Sequence, residues 1–284
     1  MVDAPLTNDP LGGFGAELER HDRDRYLATL YAPAPHRGNL AAVLAFGLDL
    51  ARLRDTVSQP LLARIRLQWW RESLDEVMAG TAPRRHPILV ALAPLLVSGR
   101  VPRSPLDRMI DAREHDWDEA PPPDLASLTN YAADTSGALA EVRVKLLGAD
   151  READAEAARL VGTAWTLTGL LRALPFNASR GRITIPDDIA QRCELDIADL
   201  KDSRALRRAV AMLADHARGL LSQARERRRL VSRQALPVLA EARVASAYLV
   251  RLARLSHDAF NTGVIEPDPL AAWRLGFARL TGRY

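Results

Sequence analysis

Apolar residues recur three or four positions apart over most of the chain. This spacing places them on one side of an α-helix and predicts amphipathic helices that pack against one another. The pattern begins near Asp22 and continues, with short breaks, to the end of the sequence. It is clearest in two stretches, one with Ile65, Trp69, Leu74 and Val77 and the other with Leu160, Ala164, Leu167 and Leu171. We therefore expect an all-α protein.

Short segments that contain proline or glycine separate the predicted helices. They fall at residues 33–35, 80–87, 98–102 and 121–124, and these residue types disfavour continuation of a helix. Asp124 closes the fourth break, where its side chain is expected to cap the next helix. The breaks therefore predict where the helices of the first half of the chain begin and end.

The last third of the chain is also predicted to be helical, after one extended segment. Residues 182–186 (RITIP) have strand-like composition, but a five-residue piece that ends in proline favours an extended loop. Helices are then expected from about Asp199 to Arg229, from Gln234 to His257 and after Pro269.

The sequence indicates one helical domain preceded by a short arm. Residues 1–18 carry Pro and Gly early and show no strong period, so we expect a loose N-terminal arm. Residues 19–284 show no internal repeat and no linker. We therefore expect a single all-α helical bundle over residues 19–284.

Composition and charge exclude several classes of protein. The 39 basic and 36 acidic residues give a net charge of +3, which is too small an excess to predict a nucleic-acid partner. Cys193 is the only cysteine, which excludes an internal disulfide and a cysteine-based zinc site. The sequence shows no secretory signal and no apolar run of about 20 residues. We expect a cytoplasmic protein, with peripheral contact at the inner membrane left open.

Five segments carry the chemically informative residues. In chain order they are DRDRYLATLYAP (22–33), LAFGLDLARLRD (44–55), IRLQWWRE (65–72), GTAWTLTGLLR (162–172) and SRGRITIP (179–186). In this order and at these separations they resemble the squalene/phytoene synthase family, from about Asp22 to Ile189. The resemblance implies the isoprenoid-synthase fold, a helical barrel around a central cavity.

The resemblance also implies what an active member would contain. In the family, the cavity binds two prenyl diphosphates through magnesium, and two facing acidic boxes hold the metal. A diphosphate carries several negative charges, and Mg²⁺ prefers a near-octahedral set of oxygen ligands. Both boxes therefore need several carboxylates.

The first box departs from the family pattern. Aligning Phe46 places it at residues 51–55 (ARLRD), where Ala and Arg52 replace two of the three expected acids. Asp49 lies about 200° around the helix from position 51, so it does not simply replace the missing acids.

The second box departs further. Aligning Arg172 places it at residues 173–177 (ALPFN), where both expected aspartates are absent. Pro175 is expected to bend or end the helix there, and Asn177 offers one neutral oxygen. The usual metal-dependent ionisation of a prenyl diphosphate is therefore not expected.

This register gives a set of candidates for lining the cavity or binding an anion: Tyr26, Asp49, Arg52, Asp55, Arg172, Asn177, Arg180 and Arg182. One interpretation is that the arginines, with Arg54, bind a prenyl or phosphorylated lipid without metal, through charge-assisted hydrogen bonds. The other is that they pair with Asp49, Asp55 and other acids as a structural network. The sequence leaves both interpretations open and assigns no catalytic residue or metal ligand.

Other polar and aromatic clusters receive structural interpretations. The acidic segment HDWDE at 115–119 predicts a solvated helix end. Of Trp69 and Trp70, one is expected in the core, and the other is expected to cap the cavity or a partner surface. The run RERRR at 225–229 predicts a solvated helix face, with contact to anionic lipid or a partner as the alternative.

Two main functional hypotheses follow. One branch of the family, with the RLQWWR segment and eroded boxes, includes accessory factors for assembly of respiratory complex I. The resemblance to it implies a pseudoenzyme without a cofactor, with a partner in the membrane arm or quinone module. The alternative is an active, Mg²⁺-dependent prenyltransferase that condenses two prenyl diphosphates, with Asp49 and Asp55 supplying the missing acids. A lipid carrier that uses the apolar cavity is a third hypothesis.

Overall fold

The fold is all-α, as the apolar spacing predicts. The computed structural model describes residues 11–57, 59–198, 200–201 and 203–284, and these residues contain helices and turns but no strand. The α-helices are α1 (Gly15–His21), α2 (Arg23–Leu30), α3 (Ala34–Thr56), α4 (Pro60–Met78), α5 (Pro87–Val97), α6 (Arg103–Ala112), α7 (Leu125–Ala132), α8 (Ala138–Leu146), α9 (Glu152–Arg172), α10 (Leu174–Ser179), α11 (Asp187–Cys193), α12 (Arg204–Glu226), α13 (Leu236–Leu239), α14 (Glu241–Arg254) and α15 (Ala271–Thr281).

The predicted breaks are confirmed. The ends of α2, α4 and α5 and the starts of α3, α5 and α6 fall at the proline- and glycine-containing segments. Asp124 is the N-cap of α7, where its carboxylate accepts a hydrogen bond from the Ser127 amide at 2.7 Å. Residues 182–184 have no regular secondary structure, in agreement with the expected extended loop. Local sequence therefore determines most helix boundaries in the first two thirds of the chain.

The expectation of a loose N-terminal arm over residues 1–18 is wrong for the second half of that segment. Helix begins at Gly15, and Leu11 and Leu18 are almost fully buried. A helix of seven residues is too short to show a period in the sequence, so only its packing on α2 and α3 reveals it. Residues 1–10 of the expected arm lie outside the described residues.

The boundaries of the later helices also differ from the predicted ones. The predicted start near Asp199 lies outside the described residues, and α12 begins at Arg204 after the Ser203 cap, whose hydroxyl accepts from the Leu206 amide at 3.1 Å. The single helix expected from Gln234 to His257 is divided into α13 and α14. Pro237 lies in the first turn of α13, where proline favours the start of a helix.

Helix α9 is the central element of the bundle. It packs against α8, α12 and α14. Its buried side chains are small or branched, including Ala157, Ala158, Val161 and Ala164, all with essentially no exposure. Small side chains allow the surrounding helices to approach closely, and the buried apolar residues form one continuous core.

Another element approaches the backbone of α9 very closely at Gly162. A short π-helical turn, Ala133–Gly137, crosses α9 there. A β-carbon added to Gly162 would lie 2.2 Å from the Ser136 carbonyl oxygen and 2.8 Å from the Gly137 α-carbon. Both atoms belong to the backbone, so neither can move aside without shifting the turn. Glycine is thus required at this crossing.

We expect Gly162→Ala to lower the free energy of unfolding by about 3 kcal/mol, since overpacking at a backbone contact must separate α9 from the π-helical turn. Urea denaturation measures this change. Gly169→Ala is the matched control, because Gly169 lies on the same helix with nothing within 4 Å of the added carbon. It should raise the free energy of unfolding by about 0.5–1 kcal/mol. If both substitutions changed the free energy of unfolding equally, the result would contradict the close crossing of α9 by the π-helical turn.

Candidate functional site

The first expected box contacts the turn that follows the second one. Asp55 at the C-terminal end of α3 pairs with Arg180, which follows α10, at 2.8 Å. Helix α9 ends at Arg172, and α10 starts after Ala173 with Pro175 in its first turn. The proline therefore ends the helix, as predicted. The candidate site lies at this junction of α3, the α9–α10 break and the loop that follows α10.

The Asp49 carboxylate makes contacts that hold the fold together. Its carboxylate accepts a hydrogen bond from the Trp70 indole Nε1 at 2.9 Å and lies 3.9 Å from the Arg66 guanidinium. Trp70 is fully buried and packs edge-on against Phe46, with ring centroids 4.9 Å apart. Asp49 therefore fixes α4 against α3, which explains the carboxylate without a metal.

One of the two adjacent tryptophans was expected in the core. This prediction is confirmed, because Trp70 is fully buried. Trp69 is only partly buried. Its ring lies beneath two guanidinium groups, of Arg66 at 5.5 Å and of Arg84 at 5.7 Å. Both distances are within the range of cation–π attraction.

A pocket of about 620 Å³ lies beside Asp49, between α3 and the starts of α1 and α5. Arg52 also lines it, but its guanidinium is bound to the Glu17 carboxylate on α1 at 2.5 Å. His86 also lines the pocket, and burial lowers the pKa of its imidazole. The pocket thus carries mixed charge, with an acid paired to the arginine that was a candidate for anion binding.

Arg182 belongs to a buried polar cluster. It donates to the Asp116 carboxylate at 2.6 Å, and the Tyr131 hydroxyl donates to the same oxygen at 2.7 Å. Arg113 approaches the other oxygen at 3.3 Å. The side chain of Asp116 has no exposure, and burial raises the pKa of Tyr131 to about 12.

This cluster corrects the interpretation of residues 115–119 as a solvated helix end. His115 and Asp118 are exposed and pair with each other at 2.8 Å, as expected of a solvated turn. Asp116 between them points inward, because Arg182 and Arg113 converge on it. A counter-ion more than sixty residues away along the chain gives no local signal in the sequence.

Arg172 binds the backbone rather than an acid. Its Nε and Nη2 donate to the carbonyl oxygens of Val264 at 3.2 Å and Ile265 at 2.9 Å. Its guanidinium stacks on the Tyr248 ring, 3.6 Å from the centroid. The Tyr248 hydroxyl donates to Asp24 on α2 at 2.6 Å. Arg172 therefore links the end of α9 to α14 and, through Tyr248, to α2.

Asp24 is a buried acid that the sequence pattern does not reveal, although it lies in the informative segment 22–33. Asp24 is almost fully buried, and this burial raises the pKa of its carboxyl group. Burial likewise raises the pKa of Tyr248 to about 12. The alternation of acids and arginines at residues 22–25 was the available signal, but such alternation is typical of exposed helices.

A second missed group is ionic and lies in the bundle interior. Arg143 on α8 pairs with Glu241 on α14 at 2.6 Å, and each side chain is 1% exposed. Arg25 on α2 approaches the other oxygen of Glu241 at 3.5 Å and lies over the Trp165 ring at 5.1 Å. Asp22 lies 3.4 Å from Arg25, and burial raises the pKa of its carboxyl group.

The two remaining candidate site residues are Tyr26 and Asn177. Tyr26 is partly buried and packs against the core. Asn177 is buried on α10, and its backbone carbonyl accepts from the amides of Arg180 at 3.0 Å and Arg182 at 2.9 Å. Asn177 therefore shapes the turn that carries both arginines.

The structure thus distributes the candidate arginines among separate protein partners. Arg52, Arg180 and Arg182 each pair with an acid, and Arg172 binds carbonyl oxygens. This arrangement agrees with the structural-network interpretation and does not converge on one anion site.

The residues at the box positions do not fit a magnesium cluster. Across the described residues, no group of three or more His, Cys, Asp or Glu is placed to hold a metal ion. The one carboxylate left in the first box, that of Asp55, is bonded to the Arg180 guanidinium at 2.8 Å, and Arg52 of the same box is paired with Glu17. A divalent cation requires several convergent oxygen ligands.

Sequence comparison relates the chain to known proteins. The family model described as squalene/phytoene synthase matches residues 18–275. The complex I assembly factor 6 of Bos taurus is 27% identical over 271 residues, which cover 94% of this chain and 81% of that protein.

Two solved structures share the fold. A dehydrosqualene synthase in complex with a ligand has a TM-score of 0.80 at 19% identity, covering 96% of each chain. A squalene synthase from Alicyclobacillus acidocaldarius has a TM-score of 0.76 at 20% identity, covering 87% of this chain and 94% of that one. These likenesses confirm the expected isoprenoid-synthase architecture.

The contrast between two arginines tests their structural roles. We expect Arg172→Ala to lower the free energy of unfolding by about 2 kcal/mol, because it removes two hydrogen bonds from a charged donor and the stack on Tyr248. Arg52→Ala should cost less than about 1 kcal/mol, since its partner Glu17 is exposed. Urea denaturation of both variants measures the difference.

Arg172→Lys is the matched variant for charge. Lysine keeps the positive charge but cannot make both bonds and stack on the ring, so most of the stability loss should remain. An anion site built from crowded arginines predicts the opposite result, namely that Arg172→Ala stabilises the protein by relieving repulsion.

Proposed function

Because the chain belongs to the squalene/phytoene synthase family, we propose that it uses the family's barrel as a binding scaffold. In this proposal it is an accessory factor for assembly of respiratory complex I and performs no prenyl transfer. Its partner is a subunit of the membrane arm or quinone module, and it acts on the cytoplasmic side, at the inner membrane. Within the described residues, no helix combines the length and hydropathy that a membrane crossing requires.

The observation that carries this proposal is the replacement of the family's acids by ion-paired or apolar residues. Transfer of a prenyl group begins when the diphosphate leaves, and leaving requires that its charge be neutralised as it develops. At the first box this chain has Arg52 bound to Glu17 and Asp55 bound to Arg180. At the second it has a helix break at Ala173.

The comparisons support the same proposal. The assembly factor matches nearly the whole chain, whereas the solved synthases support only the shared fold. A fold of this kind hosts different functions, so function must be argued from the site. The site retains the family's framework and lacks the groups that would hold its metal.

The alternative function, an active prenyltransferase, can be tested directly. Purified protein is incubated with farnesyl or geranylgeranyl diphosphate and Mg²⁺, and released diphosphate is measured. We expect no release above that of a protein-free reaction, because Asp49 and Asp55 are bonded to Trp70 and Arg180. An active dehydrosqualene synthase assayed in parallel is the positive control. Release that disappears in the Asp49→Ala, Asp55→Ala double variant would establish the alternative.

The assembly role is tested by deleting the gene in its own host. We expect loss of fully assembled complex I, measured on native gels stained for NADH dehydrogenase activity. Re-expression of the wild-type protein should restore assembly, and so should Asp55→Asn, since the proposal requires no metal chemistry at this position. Gly162→Ala, which damages the scaffold, should restore less. Normal complex I in the deletion strain would refute the proposal.

A further inference from the structure

Helix α15 presents an apolar face to solvent. Trp273 and Leu280 are 79% and 80% exposed, and Leu270 and Phe277 are 51% and 46% exposed. At about 100° per residue, Trp273, Phe277 and Leu280 lie about 180–240° around the helix from buried Ala271. The helix is therefore apolar on two opposite faces, of which only one is covered by the core.

Arginines flank the exposed apolar face, and α15 itself contains no acidic residue. Arg274 pairs with Asp268, which precedes the helix, at 2.6 Å, and no acidic residue follows Asp268 beside Arg279 and Arg283. Arg274 and Arg279 fall on opposite sides of the apolar face on the helical projection, at about 300° and 80° from Ala271. The face thus has the residue pattern of a helix that lies in a membrane interface.

Helix α14 adds a further cation. The Arg243 guanidinium lies over the Phe277 ring, 4.7 Å from its centroid. Burial and the nearby charges of Arg274 and Arg283 lower the pKa of Arg243. Crowded positive charge of this kind is relieved by an anionic partner.

The helix is held rigidly against the bundle. The Tyr31 hydroxyl donates to the Ala272 carbonyl at 2.9 Å, and Gly276 leaves room for that ring. Beyond the helix, Tyr284 is buried, and its hydroxyl donates to the Ala224 carbonyl at 2.9 Å. The apolar face is therefore a fixed surface of the domain.

A basic pocket adjoins the arginine side of α15. It encloses about 630 Å³ and is lined by Arg279 together with His36, Arg151 and Arg233, and no acidic side chain lines it among the described residues. Arginine side chains in this arrangement suit phosphate oxygens. The pocket offers space for a phosphate-bearing head group beside the apolar face.

We infer that α15 and its flanking arginines form a docking surface for an anionic phospholipid membrane. The apolar side chains enter the boundary between head groups and acyl chains, and the arginines contact lipid phosphates. On α5, by contrast, Val90 and Val97 are 52% and 70% exposed on a helix without charged residues. The inference does not depend on the proposed assembly role.

Vesicle co-sedimentation of the full-length protein tests it. Wild-type protein should bind vesicles of phosphatidylcholine mixed with phosphatidylglycerol, bind phosphatidylcholine alone much less, and dissociate as salt is raised. Trp273→Ser with Leu280→Ser should weaken binding about tenfold, because the apolar anchors are lost. Arg279→Gln with Arg283→Gln should weaken it about tenfold through loss of charge.

Matched controls separate this surface from general effects. Val90→Ser with Val97→Ser removes an exposed apolar pair from another helix, and Arg100→Gln removes an exposed arginine remote from α15 in sequence. Both variants should bind as wild type does. Thermal denaturation checks that every variant is folded. Equal binding by the Trp273→Ser, Leu280→Ser variant, or no wild-type binding to anionic vesicles, would overturn the inference. The inference would also be overturned if the wild-type protein were a dimer in solution and the Trp273→Ser, Leu280→Ser variant a monomer. A second copy of the chain would then cover the apolar face of α15.

Discussion

The ion pair between Arg182 and the buried carboxylate of Asp116 holds the loop after α10 in place, and the candidate site depends on that loop. Asp116 has no exposed side-chain surface, so its charge must be compensated inside the protein. Arg182, Arg113 and Tyr131 provide this compensation. Removing one partner of such a buried pair typically costs about 3–5 kcal/mol. Arg182 is therefore bound to the fold and is not available to an anionic ligand without a large penalty.

The ion pair between Asp55 and Arg180 is weaker than the pair between Asp116 and Arg182. The pair between Asp55 and Arg180 is about half exposed on both sides, and exposed pairs contribute at most about 1 kcal/mol. That pair can open without unfolding the protein. Access to the junction of α3 and α10 is consequently not the basis of the proposal that the chain performs no prenyl transfer. That proposal rests on the number of oxygen ligands, because opening the pair frees one carboxylate where a diphosphate–magnesium complex needs several.

Sequence periodicity and proline placement predicted the helices, the Asp124 cap and the break before Pro175, because each depends on residues within a few positions. The same information could not place Asp116 inside the protein or connect Asp24 to Tyr248, since these partners lie 66 and 224 residues apart along the chain. The interior pair of Arg143 and Glu241 was missed for the same reason. Charged residues are usually exposed, so a local pattern assigns them to the surface unless the packing of distant helices is known. The role of the candidate arginines in a site stays a prediction, and their partners could be identified only from the fold.

Loss of the acidic boxes also has a physical consequence for the scaffold. Facing carboxylates in a cavity without metal repel one another, and burial penalises each of them further. Substituting Ala at position 51 and Arg at position 52 removes that repulsion, and Arg52 now joins α3 to α1 through Glu17. From the two box segments, the core that supports the barrel takes only the apolar side chains of Leu53 and Leu174. Its close crossing at Gly162 involves neither segment. A barrel in this family can therefore lose its metal ligands, keep its shape and present its outer surfaces, among them the rigid apolar face of α15, for binding.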